Sequence, residues 1–112
     1  MTEQSEEIAA QDDVATQYLW RTVRAKLLAR GGRFAEADTL SAEAVAIIEA
    51  AQDPDSQGYA YLDRSDVLRM AGRIDEAAEA ARTAVAHFTR KGNSSSAARA
   101  MSALIELGGV SA

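Results

Sequence analysis

The chain has no cysteine, one histidine and one proline in its 112 residues. The lack of thiols excludes a disulfide framework and any thiolate metal site, and it suits a reducing, cytoplasmic setting. His87 stands alone, so no set of imidazole ligands can converge on a metal ion. A catalytic triad needs a nucleophile and an orienting acid beside its histidine. Ser41, Ser65 and Thr83 read instead as ordinary helix residues. Neither G-x-x-x-x-G-K-[ST] nor G-x-G-x-x-G occurs, so no phosphate-cradling loop is present. The longest apolar runs, such as Val45-Ala46-Ile47-Ile48, are far shorter than the roughly 20 residues that span a bilayer. The start Met1-Thr2-Glu3-Gln4 lacks the basic and apolar regions of a secretory signal. These absences point to a non-enzyme that needs no cofactor and no membrane.

What remains is alanine and charge. The length fits one domain, able to bury roughly two-thirds of the surface its unfolded form exposes. The net charge is −5, and its source is local. Glu3, Glu6, Glu7, Asp12 and Asp13 precede every basic residue; beyond them twelve acids face twelve bases. The next stretch is basic, with Arg21, Arg24, Lys26, Arg30 and Arg33 all preceding Glu36. This pattern suits an acidic N-terminal tail or helix end over residues 1–11 followed by a solvated basic helix face. An acidic overall balance without interleaved stacking aromatics does not suit nucleic acid.

An internal repeat organises the rest. Gly32-Arg33-Phe34-Ala35-Glu36-Ala37 aligns with Gly72-Arg73-Ile74-Asp75-Glu76-Ala77, an offset of 40 residues. The same offset pairs Arg24 with Arg64, Leu28 with Leu68, Ala44 with Ala84, Ile48 with Phe88, and Ala60 with Ala100. Each unit reads as two helices. The expected helices cover about 13–30, 34–51, 54–71, 74–91 and 94–107. Gly31-Gly32 and Gly72 allow the backbone reversal between the helices of a pair. Asp53 ahead of Pro54, Asn93, and Asp12 or Asp13 are the expected N-caps. The expected organisation is therefore repeat 1 over 12–51, repeat 2 over 52–92, a capping helix over 93–108 and a disordered tail over 109–112.

Helical spacing places Ala60, Tyr61, Arg64, Val67, Leu68 and Ala71 on one side of the third helix. Ile74, Ala77, Ala81, Ala84, Val85 and Phe88 share a side of the fourth. Alanine at crossing points lets two backbones approach closely. Trp20 is expected on the matching inner face of the first helix, as core. His87 is expected to be structural or at the surface.

A small residue in the first helix, Gly-Arg-Phe/Ile-x-Glu-Ala at the turn, and an alanine seven positions on together resemble the tetratricopeptide repeat. The residues are Ala25, Gly32, Phe34, Ala37 and Ala44, then Ser65, Gly72, Ile74, Ala77 and Ala84. The period departs from the 34-residue standard of that family. The resemblance implies an all-α fold: a tetratricopeptide-like solenoid of helical hairpins, five helices in a right-handed superhelix. Arg24 and Arg64 stand where the family's inner face carries leucine, and Leu104 keeps the apolar type. Each arginine is expected to pair with a carboxylate or carbonyl of the facing helix, since an isolated buried charge is costly. A narrower resemblance rests on residues 12–17 with Leu19-Trp20-Arg21, on 67–73, and on 90–93 with 97–100. These are similar to the C-terminal repeat arrays of actinobacterial regulatory proteins carrying a class III nucleotide cyclase and an ATPase domain. That likeness implies a bacterial signalling or scaffolding segment of a longer array, not an activity.

Solenoids of this kind expose a concave surface lined by the first helix of each pair. The stripe expected there is Leu19, Thr22, Lys26 and Arg30, then Tyr59, Leu62, Asp66 and Arg69, then Arg99. It mixes apolar residues with both charge signs, which suits a peptide or helix of a protein partner. It does not match the carboxylate clamp of chaperone-binding members, because Asp66 stands where that clamp carries a neutral amide. The alternative is a structural module that pairs with a second copy of itself through an end surface, as a homodimer. Met101, Leu104, Ile105 and Leu107 make the last helix apolar on more than one side.

Overall fold

Alanine-rich segments with few β-branched residues have high helix propensity, and turn chemistry divides them. The computed structural model describes residues 14–51 and 53–108. These form α1 (Val14–Arg30), α2 (Phe34–Glu49), α3 (Pro54–Met70), α4 (Ile74–Lys91) and α5 (Ser94–Glu106). The expected acidic segment over 1–11, a cap at Asp12 or Asp13, and the tail over 109–112 lie outside the described residues. The helix ends fall within two residues of the expected ones. Asp53 caps α3, its Oδ2 accepting from Ser56 N at 3.3 Å and from Ser56 Oγ at 2.7 Å. Asn93 caps α5 by accepting from Ser96 N at 3.2 Å. Each first helix ends on a left-handed glycine, Gly32 at φ 83° and Gly72 at φ 80°. Beyond each glycine an arginine amide reaches back over the last turn: Arg33 N to Leu28 O and Arg73 N to Leu68 O, both 2.9 Å. These bonds satisfy carbonyls that the helix end leaves open and aim the chain into the second helix.

Helix α1 packs on α2, α3 packs on α4, and α3 also touches α1 and α2, while α5 lies on α4. The molecule measures 55 × 36 × 16 Å, the thickness of two helix layers rather than of a closed bundle. The core is accordingly divided. Ala25, Ala29, Ala37 and Val67 join the two hairpins. Leu62, Ala84, Phe88 and Ala100 join the second hairpin to α5. Ala25, Ala37, Ala77, Ala81 and Ala84 are fully buried, so small side chains set the helix separations. Ser65 Oγ reaches the Ala77 carbonyl at 2.8 Å across one such crossing. Gly58 makes room for Phe88: a Cβ there would lie 2.6 Å from Phe88 Cε1. Phe88 is fully buried, and Tyr59 meets it edge-on at 4.8 Å between ring centres.

One ionic contact ties the hairpins together. Arg64 Nη2 lies 2.9 Å from Asp38 Oδ1, and Arg64 Nη1 donates to the Asp38 carbonyl at 3.3 Å. Arg73 Nη1 holds Asp38 Oδ2 at 3.0 Å. Oδ1 has no aligned hydrogen bond, so its contact is charge on charge. Burial pushes the Asp38 carboxyl up, but the contacts from Arg73 and Arg64 outweigh it and hold it below the usual aspartate range. The expectation for Arg64 is met by this carboxylate and carbonyl. Arg24 has no such partner among the described residues and is exposed. Trp20 is a correction: it is 44% exposed, not core. Its Nε1 reaches Gln17 Oε1 at 3.4 Å, and the Arg21 guanidinium lies 4.4 Å from the ring centre. Its counterpart Ala60 is buried.

Two predictions follow from this packing. Gly58→Ala forces a methyl into the Phe88 ring and destabilises the fold by about 1–3 kcal/mol, read as a lower urea midpoint at unchanged m. Combined with Phe88→Leu it costs less than the sum of the two single changes. Asp38→Asn costs about 1 kcal/mol at neutral pH, discounted because its arginine partners are partly solvated. Because the folded carboxyl is depressed, this contribution is complete above about pH 4 and is lost as pH falls through the folded value. The stability gap between wild type and Asp38→Asn therefore closes on acidification. A gap that persists in acid contradicts the assignment.

Candidate functional site

On α3 the residues Ser56, Tyr59, Leu62, Asp63, Asp66 and Arg69 share one face by helical periodicity. That face meets α1 on one side and α5 on the other. Lys26 of α1 reaches Asp63 Oδ1 at 2.7 Å and Asp66 Oδ2 at 3.6 Å. Tyr18 donates its hydroxyl to Asp63 Oδ2. Arg69 lies 3.8 Å from Asp66 on its own helix. Burial, and next the Asp63 charge, push the Tyr18 phenol well above its ordinary value. Two open recesses flank this row. One, between α1 and α3, is lined by Ala15, Tyr18, Ile48, Ser56, Tyr59 and Asp63. The other, between α3 and α5, is lined by Leu62, Asp66, Arg99, Ser102, Ala103 and Glu106.

The structure therefore brings Lys26, Leu62, Asp66, Arg69 and Arg99 of the expected stripe into one continuous row. Thr22 and Leu62 are corrections to the idea of a wholly exposed stripe. Thr22 is buried where α1 meets α3, and Leu62 is buried as the floor of the second recess. Tyr59 turns its hydroxyl to Ser96 Oγ at 2.7 Å and so also serves packing. Leu19 and Arg30 are exposed on α1 and take no part in the ion pairs of the row. Asp63 and Tyr18 were not anticipated, although each holds the centre. Asp63 lies four residues after Tyr59 and three before Asp66, so helical spacing alone could have found it. Arg99 and Glu106 have no ion pair among the described residues and stand at the open edge of the recess.

His87 lies apart from this row. Its ring stacks on Tyr61 at 5.5 Å, and Nδ1 meets Arg90 Nη2 at 2.9 Å. Burial first and the Arg90 charge second keep its pKa below the ordinary histidine range. Nδ1 therefore acts as an acceptor. Among the described residues no group of three or more His, Asp or Glu side chains is placed to hold a metal ion. No described helix is long and apolar enough to cross a membrane.

Paired helices closed by a left-handed glycine, small residues at every crossing, and a row of first helices on one face define a repeat array. A family model described as tetratricopeptide repeat matches residues 16–90. The chain belongs to the tetratricopeptide repeat family. No curated protein and no solved structure matches it. Tetratricopeptide repeats generally mediate protein–protein interaction and are typically non-catalytic scaffolds.

The shared position of Asp63 gives a direct check. Asp63→Asn leaves Lys26 to Asp66 alone and lowers stability by about 1 kcal/mol, since the pair is partly solvated. It also lowers the pH at which Tyr18 ionises, without restoring the ordinary value, because burial is the larger cause. A phenol titration unchanged in Asp63→Asn rules out the Tyr18–Asp63 contact.

Proposed function

We propose that this tetratricopeptide protein is a non-catalytic scaffold that binds a helix or extended segment of a protein partner along its first-helix face. Two repeats, over 12–51 and 52–92, and a capping helix over 93–108 present that face. The observation that carries the reading is the row from Lys26 through Asp63, Asp66 and Arg69 to Arg99 and Glu106, set around apolar Leu62 and Ala103. Within the row the ion pairs of Lys26 order the acids before a ligand arrives, which reduces the ordering cost of binding. Arg99 and Glu106 carry unspent charges of opposite sign. A segment with an acid for Arg99, a base for Glu106 and an apolar residue over Leu62 fits the recess. Leu19, Arg30 and Tyr59 border the row, and Thr22 supports it from beneath. The regulatory role and bacterial signalling context rest on the likeness of residues 12–17 with 19–21, of 67–73, and of 90–93 with 97–100 to repeat arrays of cyclase/ATPase regulators. A cytoplasmic setting suits a chain without cysteine.

Affinity capture with the chain as bait identifies the partner, and binding measurements then test the face. Asp66→Arg or Arg99→Glu weakens Kd by about tenfold or more, equivalent to ~1.4 kcal/mol. Glu79→Arg on α4 leaves Kd within about twofold, as expected for a charge outside the contact. Equal losses at both places, or none at Asp66 and Arg99, defeat the reading.

A further inference from the structure

A second surface lies outside the row. On α1 four large apolar side chains stand in solvent: Leu19, Trp20, Val23 and Leu27, from 44% to 59% exposed. Apolar residues scattered singly need no explanation, but a stripe two turns long does. The 40-residue repeat supplies one. It carries Trp20, Val23, Arg24 and Leu27 onto Ala60, Asp63, Arg64 and Val67 of α3. The last three of these face the preceding hairpin. Val67 is buried with Ala25, Ala29 and Ala37, Asp63 holds Tyr18 and Lys26, and Arg64 reaches Asp38. Helix α1 thus turns outward the face that α3 buries.

The charges repeat as well. Arg64 and Arg73 together grip Asp38. Their counterparts 40 residues earlier are Arg24 and Arg33. Arg33 holds Glu36 at 2.6 Å, as Arg73 holds Glu76 at 2.6 Å. The acid that would lie between Arg24 and Arg33 is missing from the described residues. The next interface shows that the residue types on the two sides match. There Leu104 takes the place of Arg64 and Ala78 that of Asp38, and the two pack together with Ala81. Arginine meets aspartate in one interface, and leucine meets alanine in the other.

We propose that the outer face of α1, with Trp20, Val23 and Leu27 beside Arg24 and Arg33, is an interface for one more tetratricopeptide-type hairpin whose second helix presents a carboxylate to the two arginines. A second copy of this chain does not meet that requirement. Of its second-helix residues at this position, Asp38 is already held by Arg64 and Arg73, and Ala78 is covered by Leu104. By sequence register residues 1–13 match 41–53, with Glu3 on Glu43, Ile8 on Ile48 and Asp13 on Asp53, and none of them matches Asp38.

The test inserts a copy of residues 14–53 between Asp13 and Val14 of the full chain. The copy carries Trp20→Tyr, so the original Trp20 is the only tryptophan. Its Asp38 then stands 26 residues ahead of the resident Arg24, the separation that Asp38 and Arg64 have in the unmodified chain. Trp20 emission shifts to the blue and its acrylamide quenching falls by about twofold, as for an aromatic passing from half-exposed to buried. Asp38→Ala in the copy or Arg24→Ala in the resident unit each lowers Tm by about 2–4 °C, and both together no further. A second version, with Asp38→Ala in the copy and Arg24→Leu in the resident unit, recreates the Leu104–Ala78 pairing and also shields Trp20. If neither version shields Trp20, folded or not, or if the Asp38 and Arg24 losses add, the proposal is overturned. It is overturned as well if the unmodified chain is a dimer that Leu27→Glu dissociates, since a second copy then takes the face. The same holds if Trp20 is shielded in the unmodified chain and becomes accessible on deletion of 1–13.

Discussion

Alanine at the crossing points sets how closely each first helix lies against its second. Ala25, Ala37, Ala77, Ala81 and Ala84 are fully buried, and none adds more than a methyl to the space between axes. At that distance the Ser65 hydroxyl can reach the Ala77 carbonyl, and the Phe88 ring can fill the place left by Gly58. The glycine turns then fix direction, because positive φ at Gly32 and Gly72 returns the chain along the helix just finished. First helices consequently stand beside first helices. The side chains on their shared face come from residues far apart in sequence, such as Lys26 and Asp63. The groove is a product of the packing distance.

The two interfaces along the array have one geometry and two chemistries. At one matching position Asp38 meets Arg64 and Arg73 in the first, and Ala78 meets Leu104 in the second. Each interface lies between neighbouring units and has its own apolar cluster beside it, which fits an array in which each unit contacts only its neighbours. An ionic pair at partial exposure adds little stability, but it rejects a neighbour of the wrong charge. The apolar version is less selective. Placed side by side, they explain how one backbone spacing can hold units in a fixed order.

The sequence carried much of this plainly. The 40-residue offset located the hairpins, Asp53 and Asn93 located two helix starts, and the alternation of alanines located the crossings. Trp20 departs from its expected place for a physical reason. A first helix in an array has two faces that can bury apolar residues, one toward its own second helix and one toward the preceding unit. Periodicity marks both alike and cannot tell which has a neighbour. Thr22 and Leu62 are buried rather than exposed because small rotations about a helix axis decide whether a border residue is covered. Asp63 escaped notice because its importance lies in what it meets on α1, and contacts between Tyr18, Lys26 and Asp63 span 37 and 45 residues. The pairing of Arg64 with a carbonyl and a carboxylate was legible from the cost of burying charge, although Asp38 itself was not.

On the proposed function the first helices form the binding face. Amide chemical-shift mapping of the full chain with its bound partner tests this most directly. The perturbed amides are expected to cluster on α1, α3 and α5, densest around Asp66 and Arg99. Perturbations concentrated instead on the outer faces of α2 and α4, with α3 unchanged, would contradict it.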